Sequence, residues 1–187
     1  LRKGPPCVLV RGLGGVGKTT LVAHFLQWLF QTDGEPDHVQ WLDFREVRSA
    51  EAVLDRMGEP LYGDKFRVAG VGEQALTIKC QLLTKVAHAR RVLWVWDNIE
   101  VAAGMPDSPI QAQLHQADRT CLNQLLAGFV GSHSHVLVTS RGQESWLGGP
   151  EVVRELTLGG LQGEERWDYA ATVLQACGVD TSRKDEA

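Results

Sequence analysis

A glycine-rich turn near the start of the sequence constrains the fold more than any other feature. The turn reads Gly12-Leu13-Gly14-Gly15-Val16-Gly17-Lys18-Thr19 and satisfies the pattern G-x-x-x-x-G-K-[ST]. The apolar residues 7–10 before it are typical of a β-strand. The apolar side chains after it recur with the period of an amphipathic helix: Leu21, Val22, Phe25, Leu26, Leu29 and Phe30. A strand, a glycine turn and a helix in this order predict one unit of a parallel α/β sheet.

The same turn has the chemistry of a phosphate-binding loop. Its glycines let successive backbone N–H groups point into one anion-sized nest, and the helix that begins near Lys18 adds the positive end of its dipole. Lys18 supplies a charge for the β- and γ-phosphates of a nucleotide, and the Thr19 hydroxyl is placed to ligate Mg²⁺. An ordinary glycine-rich turn is the alternative. The predicted cofactor-binding residues are Gly14, Gly15, Val16, Gly17, Lys18, Thr19 and Thr20.

Strand-type and helix-type segments alternate along the rest of the chain. Further strands are predicted at residues 39–44, 92–96, 135–139 and 152–158. Helices are predicted from Ser49, as N-cap, and around residues 76–87, 122–130 and 167–177. Residues 57–73 and 102–116, rich in glycine, proline or polar residues, predict irregular connections. The alternation predicts an α/β fold in which helices cover both faces of a parallel sheet.

Composition narrows the function classes. The net charge is −4 with a pI of about 5.9, which argues against general binding of nucleic acid or anionic membranes. No apolar run approaches the roughly 20 residues of a membrane-spanning helix. The four cysteines, at positions 7, 80, 121 and 177, form no C-x-x-C pair, which fits free thiols of a reducing, cytoplasmic compartment.

Asp97 is the candidate metal-assisting carboxylate. It follows the wholly apolar residues 92–96, as expected at the end of a buried central strand, where Mg²⁺ bound to a nucleotide usually finds an acid. A turn or helix-cap aspartate is the alternative. Asn98 stands where many ATPases carry a second acid, and Glu100 is the nearest alternative base. We therefore expect ATP hydrolysis to be slow.

Arg141 is the candidate phosphate sensor. It follows a strand that ends in Thr139 and Ser140, and the carboxyl ends of parallel strands face the ligand crevice. An arginine fork there could contact the γ-phosphate and distinguish ATP from ADP. A solvated loop arginine is the alternative.

Together these segments resemble the AP-ATPase or NB-ARC branch of the STAND nucleoside triphosphatases, in its bacterial form. Residues 12–22 resemble that family's phosphate loop, residues 92–100 its Walker B strand, and residues 136–141 its Thr-Ser-Arg sensor strand. Residues 155–165 are similar to its transition into a helical domain. The chain departs from the family in lacking the upstream Val-x-Gly-Arg segment and in carrying Asn98.

The resemblance implies a three-layer P-loop NTPase fold with a five-stranded parallel sheet in the order 5-1-4-3-2, plus the first helix of a following domain. The implied domains are residues 1–160, which bind nucleotide, and 161–187, the start of a truncated ARC-like helical domain. Lys18, Asp97 and Arg141 are the implied catalytic residues, and Thr19 and Asp97 the implied Mg²⁺ residues.

By the same resemblance the chain is an ATP/ADP-binding switch with slow hydrolysis, which controls conformation and oligomerisation of a larger protein. Its expected partners are an adenine nucleotide and, in the full-length protein, a second copy, with no direct nucleic acid and no membrane. A different P-loop ATPase, either AAA+-like or a small-molecule kinase, is one alternative. A non-hydrolysing ADP-binding interaction domain is another. Guanine specificity is disfavoured because neither Asn98 nor Asn123 precedes a lysine.

Overall fold

A parallel sheet forms the centre of the fold. The computed structural model describes residues 4–32, 34, 36–68, 74–106 and 108–178. Its strands are β1 (Cys7–Arg11), β2 (His38–Asp43), β3 (Val92–Asp97), β4 (His135–Ser140) and β5 (Val153–Thr157). All four pairings between neighbouring strands are parallel, and the order is β2-β3-β4-β1-β5. This is the predicted order 5-1-4-3-2 read from the other edge, so the predicted sheet is confirmed.

Helices cover both faces of this sheet. They are α1 (Lys18–Gln31), α2 (Ala50–Tyr62), α3 (Asp64–Val68), α4 (Ala75–Ala89), α5 (Glu100–Ala103), α6 (Gln116–Gly128) and α7 (Gly163–Ala176). Alternate side chains of β3 point to opposite faces: Leu93 and Val95 pack with α1, whereas Trp94 and Trp96 pack with α2, α4 and α6. The predicted three-layer architecture is therefore confirmed.

Two buried tryptophans fix the central strand. Trp94 stacks on Phe129 and Trp96 lies against Phe44, with ring centroids 5.2 Å and 5.3 Å apart. Burying one indole removes roughly 150–250 Å² from water, which is about 4–6 kcal/mol at roughly 25 cal/mol per Å². Every residue of β3 is buried. The strand that ends at Asp97 is thus buried along its whole length.

The prediction of an irregular connection over residues 57–73 is wrong for most of its length. Helix α2 continues to Tyr62 and α3 follows at Asp64, whereas residues 69–73 lie outside the described part of the chain. Pro60 does not end α2, although it has no N–H to donate to the carbonyl of Arg56 one turn earlier. The side-chain amide of Gln40 on β2 donates to that carbonyl instead. A tertiary hydrogen bond therefore replaces the lost helical one.

Gly58, the other apparent helix breaker, is a packing residue. A Cβ atom at this position would lie 2.3 Å from the ring of Phe66 on α3, which is buried directly against α2. The prediction of Ser49 as N-cap is confirmed, since its hydroxyl accepts from the Ala52 N–H at 3.2 Å. The predicted connection over residues 102–116 needs one correction at each end, because α5 extends to Ala103 and α6 begins at Gln116.

The last described helix lies where the sequence predicts it, but its apolar stripe is not buried. Trp167 is 58% exposed, and Val173 and Leu174 are also exposed. Residues 179–187, the rest of the predicted second domain, lie outside the described part of the chain. Among the helices that the structure describes, none has the length and apolar character needed to cross a bilayer.

Candidate functional site

Three chain segments meet at the carboxyl edge of the sheet. The glycine-rich turn follows β1, Asp97 ends β3, and Arg141 directly follows β4. Because β4 pairs with both β1 and β3, these three strand ends are neighbours. The fold therefore brings together the loop, the acid and the arginine, although Gly12 and Arg141 are 129 positions apart in the sequence.

The glycine-rich turn has the backbone that its sequence predicts. Gly15 and Gly17 adopt left-handed conformations with φ of 78° and 94°, which residues with side chains rarely adopt. A Cβ atom on Gly12 would lie 2.5 Å from the carbonyl oxygen of Leu158, just after β5. Helix α1 begins at Lys18, immediately after the turn. The turn thus joins a strand end to a helix N-terminus in the geometry of a phosphate-binding loop.

Lys18 lies against the inside of this turn. Its side chain is 9% exposed, and its Nζ donates to the carbonyl oxygens of Gly12 and Leu13 at 2.8 Å and 2.9 Å. Burial lowers the pKa of Lys18, the charge of Glu100 opposes that shift, and the charge of Arg141 adds to it. Lys18, Glu100 and Arg141 therefore form one electrostatic cluster at the mouth of the turn.

Asp97 is the centre of a hydrogen-bonded group at the end of β3. It is buried, and the Thr19 hydroxyl donates to its two carboxylate oxygens at 3.0 Å and 3.2 Å. The hydroxyl of Thr139 on β4 also donates to Asp97. The structure thus brings together the two residues predicted to assist Mg²⁺, although they are 78 positions apart.

The donor set at Asp97 fits Mg²⁺ bound to a nucleotide. A hydroxyl and a carboxylate are hard oxygen ligands, and Mg²⁺ is usually held by one or two protein groups together with phosphates and water. Within the described residues, no group of three or more His, Cys, Asp or Glu side chains could form a metal cage. A cation held by Thr19 and Asp97 would take its other ligands from phosphate and water.

Asn98 ties two acids together. Its φ is 59°, and its amide donates to Asp43 at 3.2 Å and to Asp97 at 3.3 Å. Its backbone N–H donates to the Thr139 hydroxyl at 3.0 Å. Because an amide has no basic nitrogen and both acids receive its N–H donors, Asn98 orients carboxylates rather than accepting a proton.

Glu100 and Arg141 form an ion pair beside the turn. The Arg141 Nε lies 3.0 Å from Glu100 Oε1, and the side chains are 49% and 3% exposed. The other oxygen, Glu100 Oε2, is buried and has no hydrogen-bond partner within the described part of the chain. The Arg141 guanidinium carbon lies 3.4 Å from the position that a Cβ atom on Gly14 would take. Arg141 therefore lies over the turn, and its role as phosphate sensor stays a prediction.

A cleft of about 570 Å³ opens between the turn, the segment after β4 and the segment after β5. Gly14 and Gly15 form one side, Arg141 the second, and Gly159 the third. Thr20, also predicted to contact the ligand, is exposed on the first turn of α1. The cleft is concave and adjoins the helix N-terminus, so it suits a ligand with phosphate groups.

Sequence reasoning missed three residues that support the site. Thr139 and Asp43 bond to Asp97 and Asn98 as described above, and Glu144 holds the segment that carries Arg141. The Ser140 hydroxyl and the Trp146 indole N–H donate to buried Glu144 at 2.5 Å and 2.8 Å. The signal in the sequence that could have found Thr139 and Asp43 is that polar residues end strands β2 and β4, at the edge of the sheet where Asp97 lies.

Comparisons with solved structures identify the fold. The Drosophila ORC bound to DNA matches with a TM-score of 0.64 and 18% identity, covering 92% of this chain and 42% of that one. The ORC2 protein of Aeropyrum pernix, in ADPNP–ADP complexes, gives 0.62 and 16%, covering 92% and 46%. A STAND protein with a tetratricopeptide repeat sensor, from Pyrococcus horikoshii, gives 0.52 and 19%, covering 94% and 24%. The chain therefore has the fold of P-loop ATPases.

These similarities extend to the fold alone. The chain spans between about a quarter and a half of the length of these three proteins. No family model matches the chain, and no curated protein matches it in sequence. The P-loop fold that the sequence-based resemblance implies is thus supported, and membership of the NB-ARC branch remains a prediction.

The prediction of no direct nucleic-acid contact is contradicted by these comparisons. It was drawn from the net charge of −4, yet the fold is shared with an ORC that is bound to DNA. Net charge sums the whole surface, whereas DNA contact needs only a local group of basic side chains. An acidic total therefore does not exclude that class of partner for this fold.

Proposed function

We propose that this chain is the nucleotide-binding module of a STAND signalling ATPase, which binds ATP or ADP with Mg²⁺ and hydrolyses ATP slowly. The observation that carries the proposal is the contact of Thr19 with Asp97 at 3.0 Å, directly after the glycine-rich turn. It joins a hydroxyl and a carboxylate of the kind that Mg-nucleotide sites use.

The turn binds the phosphates in this proposal. The backbone N–H groups of Gly14 to Gly17 and the N-terminus of α1 provide oriented positive dipoles. Lys18 provides a full charge from a side chain that is already buried against the turn. Thr19 and Asp97 hold Mg²⁺, which supplies charge neutralisation to the phosphates when bound.

Arg141 and Glu100 make the site sensitive to the γ-phosphate. A terminal phosphate in the cleft competes with Glu100 for the Arg141 guanidinium, since phosphate offers paired acceptors to an arginine fork. When Arg141 turns to the phosphate, Glu100 loses its partner and becomes available to accept a proton from water. Of the two candidates, Glu100 rather than Asn98 is therefore the proposed base, because the Asn98 amide is held by two acids.

Slow turnover follows from the same ion pair. Glu100 is 3% exposed and bonded to Arg141, so the base must first be released and reached by water. We expect turnover below roughly 1 per second, the lower edge of typical enzymes. Slow hydrolysis suits a switch, in which the bound nucleotide controls the conformation and oligomerisation of a larger protein.

Helix α7 provides the proposed connection to the rest of that protein. Trp167, Val173 and Leu174 are exposed on a helix whose sequence is amphipathic. In this proposal residues 1–160 form the nucleotide-binding domain, and residues 161–187 begin a helical domain that covers those side chains. The position of this helical domain relative to the nucleotide would tell the larger protein whether ATP or ADP is bound.

An AAA+-like ATPase is the second candidate. The observation that favours it is the fold similarity to the ORC proteins of Drosophila and Aeropyrum pernix, at TM-scores of 0.64 and 0.62 against 0.52 for the STAND protein. The sequence feature that favours the STAND assignment is Asn98, where the AAA+ pattern has Asp-Glu.

Nucleotide retention and turnover distinguish these candidates. Purified protein would be denatured and the released nucleotide identified, and ATP hydrolysis would then be followed in single-turnover and multiple-turnover conditions with and without Mg²⁺. Retained ADP with a slow Mg²⁺-dependent single turnover supports the switch, whereas rapid multiple turnovers support an AAA+-like enzyme. If the purified protein retains no nucleotide and also binds no added nucleotide, the proposal is contradicted.

Two variants sharpen the experiment. Glu100→Gln keeps the side-chain volume and removes the base, so single-turnover hydrolysis is expected to fall by at least roughly 100-fold while nucleotide affinity is retained. Glu59→Gln, which removes a carboxylate paired with Arg67 outside the cleft, is the control and is expected to keep the activity of the unmodified chain. Equal loss in both variants would refute the assignment of Glu100 as base.

A further inference from the structure

Two cysteines from neighbouring helices face each other on the surface away from the candidate site residues. Cys80 on α4 and Cys121 on α6 are half-buried, and their Sγ atoms lie 3.7 Å apart. A disulfide has an S–S distance of about 2.05 Å, so the two sulfur atoms must come about 1.6 Å closer to form one. The other two thiols differ in environment, since Cys7 is fully buried and Cys177 is exposed.

The cysteine pair is open to small reagents. Both residues line a groove of about 910 Å³ between α4 and α6, whose lining also includes Lys85, apolar Leu76 and Ala117, and several threonine and glutamine residues. The groove opens to solvent beside the sulfur atoms, so a small disulfide reagent can reach them. Access and proximity are the two conditions for a dithiol to exchange with a disulfide.

The two thiols are also unequal. The hydrogen bond between the two sulfur atoms lowers the pKa of Cys121, against the opposing effects of burial and the charge of Asp118. The same hydrogen bond, together with burial, raises the pKa of Cys80. One thiol is therefore prepared to react first while its neighbour keeps its proton.

We propose that Cys80 and Cys121 form a thiol–disulfide exchange site, which takes low-molecular-weight disulfides as oxidant and is converted reversibly to an intramolecular disulfide. The Cys121 thiolate attacks one sulfur of the reagent, a mixed disulfide forms, and the first reagent thiolate leaves and takes up the proton lost by Cys121. The Cys80 thiol then loses its proton and attacks the Cys121 sulfur, and the second reagent thiol leaves. Two protein thiols are oxidised to one disulfide while one reagent disulfide is reduced to two thiols.

The new bond would enclose the central strand. Cys80 and Cys121 are 41 positions apart, and the segment between them contains β3, Asp97 and Glu100. Closing a loop of this length restrains the unfolded chain, so the oxidised protein is expected to melt higher by on the order of 10 °C. This inference is independent of the proposed nucleotide function, because it needs only the α4–α6 contact.

Oxidised glutathione is the probe for the test. The whole chain would be treated with it under native conditions, remaining thiols would be alkylated after denaturation, and disulfides would be mapped by mass spectrometry. We expect a Cys80–Cys121 cross-link with no adduct on either residue, and a single glutathione adduct on exposed Cys177 as internal reference. Reductant should remove both modifications.

Two single variants separate the steps. Cys80→Ser is expected to stop at a stable glutathione adduct on Cys121, and Cys121→Ser at a stable glutathione adduct on Cys80. Separate adducts on both residues of the unmodified chain, a cross-link between two chains, or reaction of the pair only after denaturant is added would each overturn the proposal. Because the first experiment uses the unmodified chain, a variant that fails to fold does not affect that result.

Discussion

The hydroxyl of Thr139 should matter more to this protein than its place in an apolar strand indicates. It is 1% exposed, donates to the Asp97 carboxylate and accepts from the Asn98 N–H. Thr139→Val keeps the shape and removes both bonds. A hydrogen bond to a charged group contributes about 1.5–3 kcal/mol, and a buried N–H without a partner costs about 1–3 kcal/mol. Because the Asp97 carboxylate keeps its other donors, we expect a net destabilisation of about 3–4 kcal/mol.

Urea unfolding measures this directly, with the summed fluorescence of the tryptophans, which include buried Trp94 and Trp96, as the probe of the folded state. Thr139→Ser is the matched control, since it keeps the hydroxyl and loses one methyl group, at a cost of about 1 kcal/mol. The valine variant should therefore unfold at a clearly lower urea concentration than the serine variant. If the two variants are equally stable, or if the valine variant lies within about 1 kcal/mol of the unmodified protein, the hydroxyl network does not hold Asp97 as we describe.

Three further substitutions test the packing and charges around the site. Gly58→Ala should lower the urea midpoint, because the alanine Cβ would meet the Phe66 ring at 2.3 Å. This clash should outweigh the helical preference of alanine over glycine, which is about 1 kcal/mol. A higher midpoint would contradict the contact between α2 and α3. Phe129→Ala should cost about 3–5 kcal/mol in the same assay, since the ring is fully buried against Trp94, and a cost under about 1 kcal/mol would contradict that packing. Hydrogen bonds from Arg45 hold the pKa of Asp43 below its ordinary value of 3.8, so this carboxylate stabilises the fold above that pH and ceases to do so as the pH falls through its folded pKa. As the pH falls from about 5 to about 3, the free energy of unfolding should therefore fall less in Asp43→Asn than in the unmodified protein. Equal falls in the two proteins would contradict this role of Asp43.

The sheet and the meeting of Thr19 with Asp97 were predictable from the sequence. Glycine turns, apolar strands and amphipathic stripes are local patterns, and the carboxyl ends of parallel strands necessarily share one edge. A motif after β1 and an acid after β3 must therefore lie near each other once the strand order is known. The order itself came from the family resemblance rather than from the pattern of the residues.

The supporting contacts were not predictable in this way. Thr139 and Asp43 are ordinary residues at strand ends until the register brings them beside Asp97 and Asn98. The Glu100–Arg141 pair joins the start of α5 to the segment after β4, and no spacing along the chain indicates it. These are contacts between segments, which depend on the rotation of each element about its own axis.

Helix α2 illustrates how tertiary contacts override local preferences. Gly58 and Pro60 lower the intrinsic helical preference of the segment, so its sequence predicts a loop. The Gln40 amide satisfies the carbonyl that Pro60 leaves free, and the Phe66 ring fills the space over Gly58. Trp167 shows the opposite case, because an amphipathic stripe indicates which face can be buried without indicating what covers it.

Calorimetric titration with Mg-ATP tests the central claim most directly. The unmodified chain, Lys18→Ala and Lys65→Ala would be compared, the last as a control that removes one charge from the exposed surface of α3. We expect saturable binding by the unmodified chain and by Lys65→Ala. Lys18→Ala should give no measurable heat while its circular dichroism stays that of the folded protein, because the phosphates lose the full charge held inside the turn. Unchanged affinity in Lys18→Ala, or no binding by the unmodified chain, would contradict the assignment of this turn as a nucleotide-binding site.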